Sequence, residues 1–218
     1  MKKTAVIFDM DGVIFDTERI YMNIFIDVYA RLGYKMTKDI YVTLIGRDRR
    51  SIIDILYDIY GQDFPADETF KECDEELKKA IDMGKVPVKE GALEIFEYLK
   101  NNGYKMALAT SSHKTKLEMQ LKIHNLEEVF DDIVCADDVV RSKPDPSIFL
   151  AAAKKLNVKP EECIVIEDSP AGIEAAYNAG MMSLHVEDLV KADDRIKKYS
   201  DKQFKNLNEV KEFIESFR

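Results

Sequence analysis

The stretch AVIFDMDGVIFD, residues 5–16, joins an apolar run to three aspartates, Asp9, Asp11 and Asp16. Carboxylates gathered at the end of a buried strand repel one another and raise each other's pKa unless a cation joins them. What the rest of the chain brings to that strand end therefore decides both the fold and the chemistry.

Working outward, TAVIF (4–8), YKMALAT (104–110), ECIVIE (162–167) and MMSLHV (181–186) read as short strands, with DIVCA (132–136) as a further one. Helical patterns such as ALEIFEYLKNN, KLEMQLKIHNL, PSIFLAAAKKL and AGIEAAYNAG lie between them. Strands alternating with helices predict an α/β fold, a parallel sheet covered on both faces. Gly103 and Gly180 follow two of the helices, as C-terminal stops do. Residues 17 to about 84 break the alternation: they contain helical patterns and no convincing strand. A helical insert thus follows the first strand almost at once, and Pro87 and Gly91 in VPVKEG mark the return to the α/β pattern.

A chain of 218 residues, 46% of them hydrophobic, can build one domain or two, since domains usually run about 50 to 250 residues. The formal charge of −9 leaves no basic stripe for nucleic acid or an anionic membrane surface. The apolar run after the two N-terminal lysines is too short for a signal peptide, and no later run spans a membrane, so the expected compartment is the cytoplasm. Cys73, Cys135 and Cys163 are scattered and odd in number, which reads as small core residues rather than a disulfide frame or a zinc site. His113, His124 and His185 lack metal-ligand spacing and are given no role.

In an open parallel sheet, ligands bind beyond the carboxyl ends of the strands. Those ends carry a consistent set here: Asp9 and Asp11; Thr110 followed by Ser111 and Ser112; RSKPDP at 141–146; and Glu167 with Asp168. A hard divalent ion such as Mg²⁺, which takes oxygen ligands, suits Asp9, Asp168 and Glu167. A calcium loop starting at Asp9 fails, because Ile14 stands where its glycine belongs and Ile20 where its glutamate belongs. Each element also has a plainer reading. Asp9 and Asp11 could make a solvated turn closed by Gly12. Lys143 alone reads as a solvated loop lysine, and Asp168 or Ser169 as the cap of a helix beginning near Pro170.

Taken in order, DMDGV (9–13), ATSS (109–112), SKPDP (142–146) and EDSPAGIEAA (167–176) resemble the four motifs of the haloacid dehalogenase-like phosphohydrolases. Within that family the chain is similar to the branch of β-phosphoglucomutase and small sugar-phosphate phosphatases, over nearly its whole length. The resemblance implies a Rossmann-like core of residues 1–15 and 88–218 with an inserted all-helical cap domain, 16–87. It implies that Asp9 attacks phosphorus to form an aspartyl-phosphate, while Asp11 protonates the leaving alcohol and later deprotonates the hydrolytic water. Thr110 and the backbone N–H of Ser111 would hold the phosphate, and Lys143 would balance its charge. Mg²⁺ would sit among Asp9, Glu167, Asp168 and the backbone carbonyl of Asp11. Asp16 falls in the hinge to the insert and reads as structural.

GRDRRS (46–51) lies where the family places cap residues that reach substrate, so Arg47 and Arg49 are candidates for a sugar hydroxyl or a second phosphate; the alternative is an exposed basic turn. Tyr21 stands where the mutase has a histidine that reserves the aspartyl-phosphate for sugar, which favours a phosphatase. Keeping both Asp11 and the metal set argues against dehalogenation. The expected activity is Mg²⁺-dependent hydrolysis of a small phosphorylated metabolite, a sugar phosphate, by a core able to work as a monomer. The alternatives are a β-phosphoglucomutase-type mutase and a catalytically silent binding protein on the same fold.

Overall fold

In the computed structural model, residues 2–45, 49–189 and 191–217 are described. The chain divides into two units, Met1–Asp16 with Pro87–Arg218, and Thr17–Val86.

Among the described residues the first unit is built on six parallel strands: β1 (Ala5–Phe8), β2 (Lys105–Ala109), β3 (Asp132–Val134), β4 (Cys163–Glu167), β5 (Met182–Val186) and β6 (Lys202–Phe204), in the order β3-β2-β1-β4-β5-β6. The chain runs outward from β1 to β3, then returns to the other side of β1 for β4 to β6. The order therefore reverses at β1, which creates a crevice beyond its carboxyl end. All four residues of β1 are buried, which is why the strand reads as an unbroken apolar run rather than an alternating one. Ala5 and Ile7 join Phe149 and Ala175 on one face, whereas Phe8 meets Phe96 at 5.1 Å between ring centroids on the other.

Among the described residues the second unit holds four helices, α1 (Thr17–Arg31), α2 (Lys38–Val42), α3 (Arg49–Tyr60) and α4 (Ala66–Asp82). It is organised around rings: Phe25 stacks on Tyr29 at 5.6 Å and meets Tyr41 and Phe70 edge-on. The first unit adds α5 (Ala92–Asn101), α6 (Lys114–Ile123), α7 (Ser147–Lys155), α8 (Pro170–Asn178), α9 (Asp194–Tyr199) and α10 (Leu207–Glu215).

The strand β6 was absent from the sequence expectation. Its three residues KQF are half-buried or exposed, so this edge strand leaves no apolar signature. The three cysteines are buried free thiols, as expected. No helix among the described residues is long and apolar enough to cross a membrane.

Candidate active site

The crevice at the β1 switch point gathers the motif residues of the first unit. Asp9 follows β1 directly, and its N–H donates to the carbonyl of Ile166 on β4 at 3.0 Å, so the adjacent strand fixes the start of the loop. Asp9, Glu167 and Asp168 each bring a carboxylate oxygen within 4.8 Å of the others. Lys143 donates to Asp9 and, at 2.8 Å, to Oε1 of Glu167. Its side chain is only 6% exposed, which excludes the solvated-loop reading.

The electrostatics follow from burial. Asp9 is pushed up to about 7, first because it is desolvated, with Glu167 and Asp11 adding repulsion that Lys143 only partly offsets. Burial raises Asp168 well above the ordinary carboxylate range as well, reinforced by Glu167, Asp9 and Asp188. Burial alone would lower Lys143, but Asp9 and Glu167 reverse this and hold it above its usual value. Lys143 thus answers Asp9 and Glu167, while Lys89 only partly offsets the repulsion on Asp168. The residual negative charge and the all-oxygen donor set fit a hard divalent cation.

Two glycines make the close approach possible. A Cβ on Gly172 would lie 1.8 Å from Oε1 of Glu167, and one on Gly12 would lie 2.2 Å from Oδ2 of Asp168. Gly12 also has φ +81°, a backbone region L side chains rarely adopt. The capping reading of EDSP holds for Ser169, whose Oγ accepts from the N–H of Gly172 at 3.0 Å to open α8. The same turn sends the Ser169 N–H to Glu167, so cap and carboxylate cluster share one loop.

Thr110, following β2, is buried, and its Oγ1 accepts from the N–H of Ser112 at 3.0 Å, while Ser111 is exposed. The carboxylate of Asp11 is held by the Nζ of Lys116, at 2.8 and 2.9 Å to its two oxygens, and by the hydroxyl of Ser112 at 2.7 Å. Asp16 is half-buried, and its N–H donates to the carbonyl of Pro87 at 3.0 Å. In the helical unit Arg49 pairs with Asp74 at 2.9 Å and lies 4.0 Å above the Phe70 ring. Arg47 lies outside the described residues.

Residues 6–186 match the family model for haloacid dehalogenase-like hydrolases. The chain belongs to that family. This hydrolase is 36% identical over 181 residues to a phosphorylated carbohydrates phosphatase of Thermotoga maritima, a match covering 83% of each chain. It is 30% identical, with TM-score 0.81 over the full length of both chains, to the crystal structure of a candidate β-phosphoglucomutase from Thermotoga maritima. A β-phosphoglucomutase from Clostridium difficile is 26% identical with TM-score 0.70, covering 99% of this chain and 98% of that one. The relatives named as phosphatases set the hydrolase among the phosphatases of the family.

Three supporting residues were not singled out in the sequence. Lys116 belongs to a helix with several lysines, and nothing in the pattern distinguishes it. Lys89, in the VPVKEG return, donates to the carbonyl of Gly12 at 2.6 Å and to Asp188 at 2.7 Å, bracing the loop after Asp11. His185 on β5 lies 3.1 Å through Nε2 from the carbonyl of Asp168. A carbonyl can only accept, so Nε2 carries the proton, and burial lowers the His185 pKa and keeps the ring neutral.

Proposed function

We propose that this hydrolase is a Mg²⁺-dependent phosphatase of small phosphorylated sugars that works through an aspartyl-phosphate on Asp9. The observation that carries the reading is the buried Lys143 between Asp9 and Glu167, with Asp168 alongside, at the crevice where the strand order reverses. The likeness to a phosphorylated carbohydrates phosphatase supports the substrate class.

In the first half-reaction a carboxylate oxygen of Asp9 forms a bond to phosphorus as the ester P–O bond breaks, and Asp11 gives its proton to the departing alcohol oxygen. In the second, Asp11 takes a proton from water, whose oxygen attacks phosphorus and frees Asp9 and inorganic phosphate. Thr110 and the N–H of Ser111 hold phosphoryl oxygens, and Lys143 offsets the charge on them and on Asp9. Asp9, Glu167, Asp168 and the backbone carbonyl of Asp11 are the groups that would hold Mg²⁺. When bound, the ion supplies the positive charge that keeps Asp9 ionised and neutralises the phosphoryl oxygens. In this reading the helical residues 16–87 act as a cap that sheds bulk water from the reaction and supplies substrate contacts.

A mutase is the second reading, favoured by the likeness to β-phosphoglucomutase structures. Tyr21 weighs against it, because it stands where the mutase has its histidine. The test is phosphate release with Mg²⁺ across hexose, pentose and nucleotide monophosphates, following conversion of β-glucose 1-phosphate to glucose 6-phosphate in parallel. Phosphate from a narrow set of sugar phosphates is the expected result, and isomerised sugar with little free phosphate selects the mutase. Asp9→Asn is expected to lower turnover by roughly a thousandfold or more with the fold intact; near-wild-type turnover removes Asp9 as nucleophile.

A further inference from the structure

Among the described residues, the two aspartates of the DMD motif meet different lysines. Asp9 is matched to Lys143, whereas Asp11 is matched to Lys116, whose Nζ bridges both of its carboxylate oxygens. The surroundings of the pairs differ as well. The first is almost closed to solvent, at 6% and 8% side-chain exposure, and the second is partly exposed, at 29% for Lys116 and 25% for Asp11.

The difference suits two jobs. A nucleophile must stay in one place, while an acid/base must hand over a proton and take one back, so its contacts must be strong enough to orient it and weak enough to release it. A partly exposed ion pair meets that requirement, because water screens it and can replace either partner. The hydroxyl of Ser112 holds Oδ2 independently at 2.7 Å, a contact that does not depend on the lysine.

Lys116 also has a suitable address. It lies in the first turn of α6, the helix that follows Thr110 and Ser111 directly. One loop and helix therefore carry both the groups proposed to hold the phosphoryl oxygens and the groups that aim Asp11. Placement matters because a displacement of about 1 Å in a reacting group can cost on the order of a hundredfold in rate.

We propose that Lys116 is a positioning residue: with Ser112 it sets the direction of the Asp11 carboxylate, so that its proton reaches the oxygen of the leaving alcohol as the Asp9–phosphorus bond forms and the ester P–O bond breaks. This inference rests on the phosphatase reading. In the first half-reaction, which kcat/KM reports, it makes Lys116 matter only when the leaving group needs a proton.

The experiment compares kcat/KM for an alkyl ester, glucose 6-phosphate, with kcat/KM for p-nitrophenyl phosphate, whose phenolate departs without one. Lys116→Met is expected to lower the alkyl value roughly tenfold to a hundredfold and the aryl value by less than about threefold. Lys116→Arg, which keeps the charge and reach, restores most of the alkyl rate. Ser112→Ala shows the same selectivity with a smaller loss. In an Asp11→Asn background, Lys116→Met adds no further loss, since both act through one group. Equal losses on the two esters, or additive losses in the double variant, overturn the role of Lys116 and leave the phosphatase reading standing. Wild-type turnover by Asp9→Asn overturns that reading and this inference with it.

Discussion

The α/β unit sets a lysine among buried carboxylates, the helical unit sets an arginine against a single exposed one, and the two arrangements are chemically unlike. In the α/β unit, Lys143 and Asp9 are 6% and 8% exposed, and Glu167 is closed off with them. In the helical unit, Arg49 pairs with Asp74, which also accepts from the hydroxyl of Tyr21, but Arg49 and Asp74 are 51% and 50% exposed. Burial, more than residue type, decides which cluster is poised. Water around the helical pair screens its attraction, whereas the sheet edge forces Asp9, Glu167 and Lys143 to satisfy one another. The buried cluster therefore stores the perturbed pKa values that mark reactive groups.

The sharpest way to break this contrast is to remove each base in turn. Lys143→Met is expected to lower kcat/KM by roughly a hundredfold to a thousandfold. It should also destabilise the metal-free protein by about 3–5 kcal/mol at neutral pH, because Asp9 and Glu167 lose their buried counter-charge. Activity assays and denaturant melts in EDTA check the two parts. A loss of stability no larger than that of an exposed pair would mean that burial does not separate the clusters.

An intermediate effect concerns pH. In the metal-free fold, Asp9 stands at about 7 against an ordinary 3.8, and Asp168 moves in the same direction. The folded state thus holds more protons than the unfolded one between those values. The stability contributed by protonated Asp9 is complete below about 3.8 and gone above about 7. A divalent ion that replaces those protons should gain stabilising power as pH rises. Thermal melts from pH 5 to pH 8 are expected to show a Mg²⁺-induced rise in Tm that grows to roughly 5 °C or more at the alkaline end. A rise independent of pH would remove proton competition at the carboxylates.

The smallest effect belongs to the exposed pair. Asp74→Asn is expected to change unfolding free energy by no more than about 1 kcal/mol, since exposed ion pairs contribute little. A larger loss in chemical denaturation would show that the Tyr21 and Arg49 contacts make the helical cluster cooperative, and would narrow the difference between the units.

Much of the site is legible in the chain because each motif is local. Asp9 and Asp11 are two residues apart, Glu167 and Asp168 are adjacent, and the strand before each is apolar enough to announce its end. Ser169 is legible as a cap for the same reason, since its partner is three residues on. The burial of Lys143 is not, because it comes from carboxylates 134 and 24 positions away. Lys116 and Lys89 are hidden for a similar reason: their partners, Asp11 and Gly12, are 105 and 77 positions distant, and no period in the sequence encodes that meeting.

Sequence alone determined the alternation of strands and helices, the helical interruption after the first strand and the order of the acidic, hydroxyl and basic motifs. These depend on periodicity and on neighbours along the chain, which a linear pattern can hold. Tertiary structure decided that β1 lies between β2 and β4, bringing those motifs to one crevice, and that a three-residue edge strand completes the sheet. It also set Lys143 against Asp9 and Lys116 against Asp11. Those outcomes depend on strand order, burial and distance in space, which are set only when separate segments pack and exclude water between them.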